Sequence, residues 1–281
     1  MGAITMSGAV TAWPSLAAWQ VDAARIRHAE ATDLAALDDR VPEGTCGLCG
    51  ADAAFPRLDG APGNFREGLS CTHCHCNARQ RAAAMLLLDA IGDPLRARGY
   101  ATEQASPLFI ALRRRMPRLL GSEYAPRFLQ RLRLSSWLCR HGVAMWVRRE
   151  DVTALRFGDE SLDAVISLDV LEHVPAYNAA LREFARVLRP GGVLALTVPF
   201  YEDRAGSVPI ARLREDGSIE HFGEPEFHGD PTGGGVPCFH HFGWDLCDAL
   251  RNVGFDDVAA CRVHDPARGL PQGQWVLRAR R

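Results

Sequence analysis

Four cysteines in two C-x-x-C pairs are the residues of this chain whose spacing points most directly to chemistry. Cys46 and Cys49 form the first pair, and Cys71 and Cys74 form the second after a gap of 21 residues. Two such pairs at this separation have the spacing of a zinc ribbon with four thiolate ligands. The intervening segment has few large apolar residues, so the free energy of metal ligation would drive its folding. We therefore expect structural zinc at these four positions.

Disulfide bonds and a redox-active C-x-x-C are the alternatives for these cysteines. Disulfides are disfavoured in a chain that is expected to be cytoplasmic. A redox motif needs one pair at the start of a helix, whereas this chain has two matched pairs. Cys76 is an alternative ligand to Cys74, and His73 and His75 are weaker candidates.

A second set of chemical groups follows the apolar runs in the middle of the chain. Leu162–Leu168 and Val193–Val198 have the composition of buried strands, and Asn178–Leu188 between them has the apolar spacing of a helix. A crossover of this length makes the two strands parallel neighbours, and ligands bind beyond the carboxyl ends of such strands. Asp169 and His173 follow the first strand at that edge.

The stretch of 50 residues from Asp151 to Phe200 resembles the class I S-adenosylmethionine-dependent methyltransferases, particularly the branch that acts on small molecules. The segment that contacts adenine in that family is matched by DVTALRF. The fourth strand and its exit are matched by SLDAVISLDVLEHV, and the next helix and the fifth strand by LREFARVLRPGGVLALTVPF. The resemblance implies an α/β fold with a Rossmann-like, seven-stranded, mostly parallel sheet and S-adenosyl-L-methionine as the cofactor. It also implies that Asp151 binds the exocyclic amine of adenine and that the Val152 amide binds a ring nitrogen.

The cysteine pairs and the arginine-bearing helix expected over Ala78–Ile91 resemble the start of a bacterial subgroup of these enzymes, similar to type 11. In that subgroup a four-cysteine segment directly precedes the class I domain. We expect an N-terminal arm, in part helical, over residues 1–45, and a zinc-binding module with its following helix over residues 46–92. A methyltransferase domain is expected over residues 93–281, with an insertion over residues 201–238 that covers the active site.

The turn after the expected first strand, Gly99–Gln104, departs from the family pattern because residues 101–107 contain no glycine. One explanation is a turn in which Glu103 faces the ammonium group of the cofactor's methionine part. The other is a decayed site in a protein without catalysis. A carboxylate complements a cationic ligand, which favours the first explanation. Gln104 and Ser106 belong to the same turn and are expected to contact the cofactor.

Glu123 closes the expected second strand, Leu119–Tyr124, about 20 residues after Glu103. Rossmann-like folds place at this distance the carboxylate that accepts the ribose hydroxyls. Tyr124, Leu168 and Asp169 are expected beside it in the cofactor site. A third strand is expected over Val143–Arg148.

Three residues are candidates for the catalytic end of the site. His173 follows the fourth strand, where catalytic and orienting groups sit, although a structural imidazole bonded to a carbonyl explains it equally well. His228 and Tyr201 lie in the insertion, and His228 is expected to contact the substrate. Cys238 lies near further histidines, but the spacing there does not match a metal-binding motif.

Composition excludes several classes of function. The chain of 281 residues has a net charge of −2 and a pI of about 6.5, so no global positive field draws it to nucleic acid. All 32 basic residues are arginine, which excludes Schiff-base and phosphate-loop lysines. We find no apolar stretch long enough to span a membrane and no secretory signal. A cytoplasmic protein from a GC-rich bacterium is the expectation.

The function expected from the sequence is methyl transfer from S-adenosylmethionine to a small-molecule or glycan-like acceptor (EC 2.1.1.-). Such a site aligns two reactants, excludes water and supplies a base for an oxygen acceptor. Two alternatives remain: a zinc-ribbon binding or regulatory protein with an inactive methyltransferase-like domain, and an RNA or protein methyltransferase whose ribbon binds the polymer. No membrane or nucleic-acid partner is expected.

Overall fold

The computed structural model of the chain describes residues 4–6, 9–124, 127–229 and 235–281. The β-strands in those ranges are β1 (Ile4–Met6), β2 (Val10–Trp13), β3 (Glu43–Thr45), β4 (Asp52–Ala54), β5 (Gly99–Ala101), β6 (Leu120–Gly121), β7 (Leu162–Leu168), β8 (Leu188–Thr197), β9 (Val208–Pro209), β10 (Ala211–Leu213), β11 (Ile219–His221), β12 (Phe227–His228), β13 (Val236–Pro237), β14 (His240–His241), β15 (Asp257–Asp265) and β16 (Leu270–Arg280). The α-helices there are α1 (Leu16–Leu37), α2 (Ala78–Ala90), α3 (Pro107–Arg115), α4 (Phe128–Arg140), α5 (Tyr177–Val187) and α6 (Asp245–Asn252).

One large sheet organises the molecule, in the strand order β1-β2-β15-β16-β8-β7-β5-β6. The pairs β5–β6, β5–β7 and β7–β8 are parallel, and the pairs beyond β8 are antiparallel. Counting directions across these pairs, six of the eight strands run the same way. This is the mixed α/β architecture, with a mostly parallel central sheet, of the class I methyltransferase fold, which confirms the expected fold class.

The third strand expected over Val143–Arg148 is wrong, since the structure has only an isolated bridge from Glu123 to Arg149 there. Side chains satisfy several backbone groups of this segment, and one backbone bond, from the Glu123 amide to the Arg148 carbonyl at 2.9 Å, joins it to the segment that follows β6. The Val147 amide donates to Ser135 Oγ at 2.9 Å, and the Arg148 amide donates to Gln104 Oε1 at 3.0 Å. A segment whose amides are bound in this way does not need a sheet ladder.

The sheet is buried on both faces, which is why its central strands are continuous apolar runs. Along β7, Val165 packs into one core cluster with the α5 residue Phe184, and the next residue, Ile166, packs into the other with the α2 residue Leu87. In α5 the buried residues Leu181, Phe184 and Ala185 recur at helical spacing, as the sequence predicted.

The N-terminal arm expected over residues 1–45 contributes two strands, β1 and β2, to the main sheet. β2 pairs with β15, and α1 packs over β16 through a cluster of indole rings that includes Trp13, Trp19 and Trp275. Within α1, the buried Glu30 forms a bidentate ion pair with Arg262 of β15. Strands of three and four residues and isolated tryptophans are too short a pattern to predict this docking from the sequence.

The cysteine-rich module packs against the main sheet through α2. An N-terminal capping box formed by Asn77 and Gln80 starts this helix, whose buried face contacts β8 and β16. Arg81 is fully buried, lies 4.3 Å from the Phe55 ring centroid and donates to the Gly269 carbonyl at 2.9 Å. These contacts join the module to the start of β16.

Short hairpins fill most of the insertion expected over residues 201–238. β10 pairs with β11, β12 with β13, and β9 with β14. Part of the insertion, residues 230–234, lies outside the described residues. Across the ranges that the structure describes, no helix is long and apolar enough to cross a membrane.

Candidate functional site

The four thiols predicted to bind zinc converge on one point. Cys46 Sγ lies 3.9 Å from Cys74 Sγ, and Cys49 Sγ lies 3.8 Å from Cys71 Sγ. All four sulfur atoms are within 4.8 Å of one another. A tetrahedral zinc ion with Zn–S bonds of about 2.3 Å separates its sulfur ligands by about 3.8 Å, so the spacing fits that ion.

Tight turns present both cysteine pairs. The Gly50 amide donates to the Cys46 carbonyl, and the His75 amide donates to the Cys71 carbonyl, each at 2.8 Å. Gly50 and His75 both have positive φ, 76° and 60°, which closes each turn. The amide of His73 lies 3.4 Å from Cys71 Sγ, where it would stabilise a thiolate.

Without a cation, three of these thiols have raised pKa values: Cys46, Cys49 and Cys74. A hydrogen bond that the Cys46 thiol donates to the Cys74 sulfur, together with burial, raises the pKa of Cys46 to about 12. A divalent cation reverses that preference because it stabilises the thiolates. The possible metal-binding group consists of the four predicted cysteines. Cys76, the alternative ligand, is not part of it, since its thiol donates to the Cys74 carbonyl at 3.6 Å.

Glu103 lies just beyond the carboxyl end of β5, in the glycine-free turn. Its Oε1 atom is buried and has no hydrogen-bond partner within the described ranges. Burial raises the pKa of Glu103 to about 7, against the opposing effect of the nearby Arg79 guanidinium. An unpartnered buried carboxylate oxygen is costly, so this atom is poised to accept a hydrogen bond from a ligand.

Gln104 and Glu123 connect the first turn to the second strand. Glu123 Oε1 accepts from the Gln104 amide at 2.8 Å and from the Ala105 amide at 2.7 Å. The fully buried Gln104 side chain donates to the Trp146 carbonyl at 3.2 Å and accepts from the Arg148 amide. The Gln104 side chain, which was expected to contact the cofactor, therefore binds backbone groups instead, and the Gln104 amide is bound to Glu123.

Asp169 follows β7 in a left-handed backbone conformation with φ of 52°, which a non-glycine residue rarely adopts. Its carboxylate accepts from Arg66 Nη2 at 2.6 Å and from Thr197 Oγ1 at 2.9 Å, and Arg79 Nε lies 3.3 Å away. Arg66 and Arg79 also bind Glu67. The cysteine-rich module thus contributes two cations to the carboxyl edge of the sheet.

The residues expected to contact the nucleoside lie further out on the same edge. Asp151 is exposed, and its Oδ1 accepts from the amide and the hydroxyl of Thr153 at 2.9 and 2.6 Å. Val152 is half-buried beside it, and Tyr124 is 71% exposed. These side chains line an open surface rather than a closed pocket.

Two other predicted contact residues have structural roles. Ser106 caps α3 by accepting from the Phe109 amide at 3.1 Å. Leu168 is buried at the end of β7, where it pairs with Thr197 of β8.

The predicted catalytic histidines lie together around a buried carboxylate. Glu172 is fully buried, and neither of its oxygens has a hydrogen-bond partner in the described parts of the chain. His228 Nδ1 lies 3.6 Å and His173 Nε2 3.9 Å from Glu172 Oε1. On its other side, His228 Nε2 lies 3.3 Å from Glu226 Oε1.

Tyr201 is connected to these histidines through His241 and Glu226. Its ring lies 4.8 Å from the His241 ring, and the Arg204 guanidinium lies 4.1 Å from the Tyr201 ring centroid. His241 Nε2 bonds Glu226 Oε2 at 2.7 Å, so Glu226 links His241 to His228. Burial, the largest contribution, and the nearby Glu226 charge raise the pKa of Tyr201.

The predicted site omitted Glu172, Glu226, Arg66 and Arg79. Glu172 stands directly before His173 in the sequence, so its position after a buried strand was an available signal. Arg66 and Arg79 had no signal in the sequence. They come from a module that is more than 80 residues away from Asp169 along the chain, and only folding brings them there.

Comparisons with known proteins concern the fold and one segment of the chain. Residues 104–196 match a family described as a methyltransferase domain. The [4+2]-cyclase SpnF is 16% identical, with a TM-score of 0.50 over 92% of this chain and 94% of SpnF. A Burkholderia thailandensis 1,6-didemethyltoxoflavin-N1-methyltransferase, solved with its substrate and S-adenosylhomocysteine, is 18% identical, with a TM-score of 0.46 over 100% of this chain and 99% of its own.

A third solved structure, the YcgJ protein from Bacillus subtilis, is 20% identical, with a TM-score of 0.38 over 42% of this chain. The chain spans about half of YcgJ, 50% of its length. At these identities the structural matches show the fold alone. The family match covers the segment from the turn after β5 to β8. Residues 104–196 therefore match a methyltransferase domain model, and the fold of the chain is that of the class I methyltransferases.

Proposed function

We propose that the chain transfers a methyl group from S-adenosyl-L-methionine to a small-molecule or glycan-like acceptor. The observation that supports this most is the buried, unpartnered Oε1 of Glu103, beside the methyltransferase-domain match over 104–196. A ligand with an ammonium group would satisfy that oxygen, and the methionine part of the cofactor carries one. The fold alone does not determine the reaction, since SpnF is a cyclase, so the argument depends on the site.

The rest of the cofactor would extend along the carboxyl edge from Glu103. The Glu123 hydrogen bonds described above both use Oε1, which leaves Oε2 to accept from ribose hydroxyls. Asp151 and the Val152 amide lie further out, where the adenine would bind. When bound, the cofactor supplies an electrophilic methyl group on a sulfonium. The protein's part is to align the reactants and exclude water.

The acceptor would lie at the group formed by His173, His228 and Tyr201. These residues come from the exit of β7 and from the insertion, so they lie beyond the carboxyl ends of the parallel strands. The unpartnered Glu172 carboxylate between the two imidazoles is a proton acceptor for an acceptor hydroxyl or thiol.

Structural zinc at the four cysteines belongs to the same proposal. Ligation would hold the module that carries Arg66 and Arg79 to the cofactor edge, so the metal supports the site without taking part in chemistry.

The module does not resemble a polymer-binding ribbon. All four of its arginines bind groups within the protein. Arg57 donates to the Asp38 carbonyl, and Arg81 donates to the Leu69 and Gly269 carbonyls. Arg66 and Arg79 form ion pairs with acidic side chains. A nucleic-acid reader presents such cations to solvent. This arrangement favours a small acceptor over the RNA or protein alternative.

Calorimetric titration with S-adenosylhomocysteine tests the cofactor part of the proposal. We expect binding by the wild type and by Glu215→Gln, a change at an exposed carboxylate, and binding weakened about tenfold or more in Glu103→Gln. No heat and no thermal shift at millimolar ligand would contradict cofactor binding. Incubation with methyl-labelled cofactor and a metabolite extract then tests transfer, and the absence of any labelled product would favour the inactive alternative.

A further inference from the structure

A second group of metal-ligating side chains lies in the catalytic half of the molecule. His173 follows β7, whereas His228 and Cys238 lie in the insertion. One donor atom from each of the three lies within 4.8 Å of the other two, and Cys238 Sγ lies 3.8 Å from His173 Nδ1. The segments that meet here are more than 50 residues apart in the sequence, so this convergence comes from the tertiary structure.

The buried Glu172 carboxylate is an independent sign of an absent ligand. Its side chain has an exposed fraction of 0% and faces both imidazoles, yet neither oxygen is hydrogen-bonded by any described residue. The nearest ring nitrogens, His228 Nδ1 and His173 Nε2, are 3.6 and 3.9 Å away, too far for strong hydrogen bonds. A buried carboxylate in this state needs a cation or a polar ligand.

Each imidazole is held in the way that metal-bound imidazoles are held. His173 Nδ1 lies 2.9 Å from the Pro237 carbonyl, which accepts its proton and leaves the lone pair on Nε2. His228 Nε2 lies 3.3 Å from the Glu226 carboxylate, which leaves the lone pair on Nδ1. A carbonyl or carboxylate on the outer nitrogen fixes the tautomer and ring orientation of a metal-ligating histidine. These two nitrogens, His173 Nε2 and His228 Nδ1, are the ones that face Glu172, while Cys238 Sγ lies 3.8 Å from His173 Nδ1.

We propose that His173, His228 and Cys238 bind a divalent cation of the zinc type, with Glu172 beside its open fourth position. Two imidazoles and one thiolate are a donor set that zinc takes, and three protein ligands with one open position are typical of catalytic rather than structural zinc. The site is distinct from the four-cysteine cluster, which is closed.

This assignment also narrows the acceptor class, a step that rests on the proposed function. A hydroxyl or thiol that occupies the open position loses its proton more easily because the cation stabilises the resulting anion. The proton passes to the Glu172 carboxylate, and the oxygen or sulfur keeps the electron pair with which it attacks. The structure therefore points to an alcohol, phenol or thiol acceptor rather than an amine.

Metal stoichiometry tests the site on the full chain. Chelator-treated protein is titrated with Zn²⁺ against a competing chromophoric chelator, and bound metal is then measured by elemental analysis. We expect two Zn²⁺ per wild-type chain, and one in His228→Ala and in Cys238→Ser. His221→Ala, a change in the same insertion but outside the cluster, should keep two. The Co²⁺ form should lose one set of thiolate charge-transfer bands in Cys238→Ser.

One Zn²⁺ per wild-type chain at saturation overturns the proposal, and His228 then bridges Glu172 and Glu226 as a metal-free imidazolium. Two Zn²⁺ retained in both His228→Ala and Cys238→Ser also overturn it. Should one variant fail to fold by circular dichroism, His173→Gln supplies the second ligand test. Binding of S-adenosylhomocysteine, measured in parallel, reports on the proposed function separately because its site does not include these ligands.

Discussion

Replacing Glu103 by glutamine should make the ligand-free protein more stable and its cofactor binding weaker. The substitution keeps the size of the side chain and removes its charge. In the wild type, burial raises the pKa of Glu103 from 4.5 to about 7, so ionising this carboxyl group in the folded chain is unfavourable. Glutamine has no such cost, but it cannot offer a charged acceptor to an ammonium group.

The size of the stability effect follows from the pKa shift. A rise in the pKa from 4.5 to about 7 corresponds to about 3 kcal/mol, at about 1.36 kcal/mol per pKa unit. Glu103 as a whole keeps partial solvent exposure, which reduces the expected gain for Glu103→Gln to about 1–2 kcal/mol.

The sign of the pH dependence is fixed by the direction of the shift. An acid whose pKa is raised by folding stays protonated longer in the folded state than in the unfolded state. The unfolding free energy of the wild type should therefore fall relative to that of Glu103→Gln as the pH rises from about 4.5 to about 7. Above pH 7 the difference should stay constant.

Urea titrations of wild type, Glu103→Gln and the exposed control Glu215→Gln at pH 4.5 and pH 8 measure this difference. Cofactor affinity follows from calorimetry at pH 8, where we expect a loss of about 10- to 100-fold for Glu103→Gln alone. Gln104→Ala is unsuitable as a control because the Gln104 side chain binds the backbone of residues 146–148. A variant that is less stable than wild type at pH 8, or that binds S-adenosylhomocysteine equally well, would refute the reasoning.

Three further predictions concern other parts of the molecule. Cys46→Ser should lose one Zn²⁺ and most soluble expression, whereas Cys76→Ser should keep the metal; full metal content in both by elemental analysis would contradict the four-cysteine site. Glu123→Ala should weaken cofactor binding and also lower the unfolding free energy by about 1–3 kcal/mol, since two backbone amides lose their acceptor; unchanged urea midpoints would argue against this. Glu30→Ala should lower the unfolding free energy by about 3 kcal/mol because it leaves Arg262 buried with a single weaker partner, and a loss below about 1 kcal/mol would show that solvent reaches the pair.

The elements of the central sheet could be predicted from the sequence because their signals are local. β7 has the predicted bounds, Leu162–Leu168, since a strand buried on both faces is a continuous apolar run. The helix before β8 lies within one residue of its predicted start, because its apolar residues recur at helical spacing. The cysteine pairs are also local, as each knuckle is a four-residue turn whose two thiols must point the same way.

The sequence could not determine which distant segments meet at the carboxyl edge. Glu103 had no nearby cation along the chain, yet Arg79 reaches it from α2, and with Arg66 it neutralises Asp169. The third strand was wrong because Gln104 and Ser135 side chains satisfy the amides that a strand would have paired. Such pairings depend on the distances between folded elements, and no local pattern encodes them.

The sequence by itself determined the fold class and the four converging cysteines, because each depends on short-range order or spacing. Only the tertiary structure decided that Glu172 is buried between two imidazoles with no hydrogen-bond partner among the described residues, and that Cys238 lies beside those imidazoles. The physical reason is burial: a carboxylate, an imidazole or a thiol in a sequence is an ordinary polar residue. It becomes a site when folding removes its water and brings its neighbours from other segments.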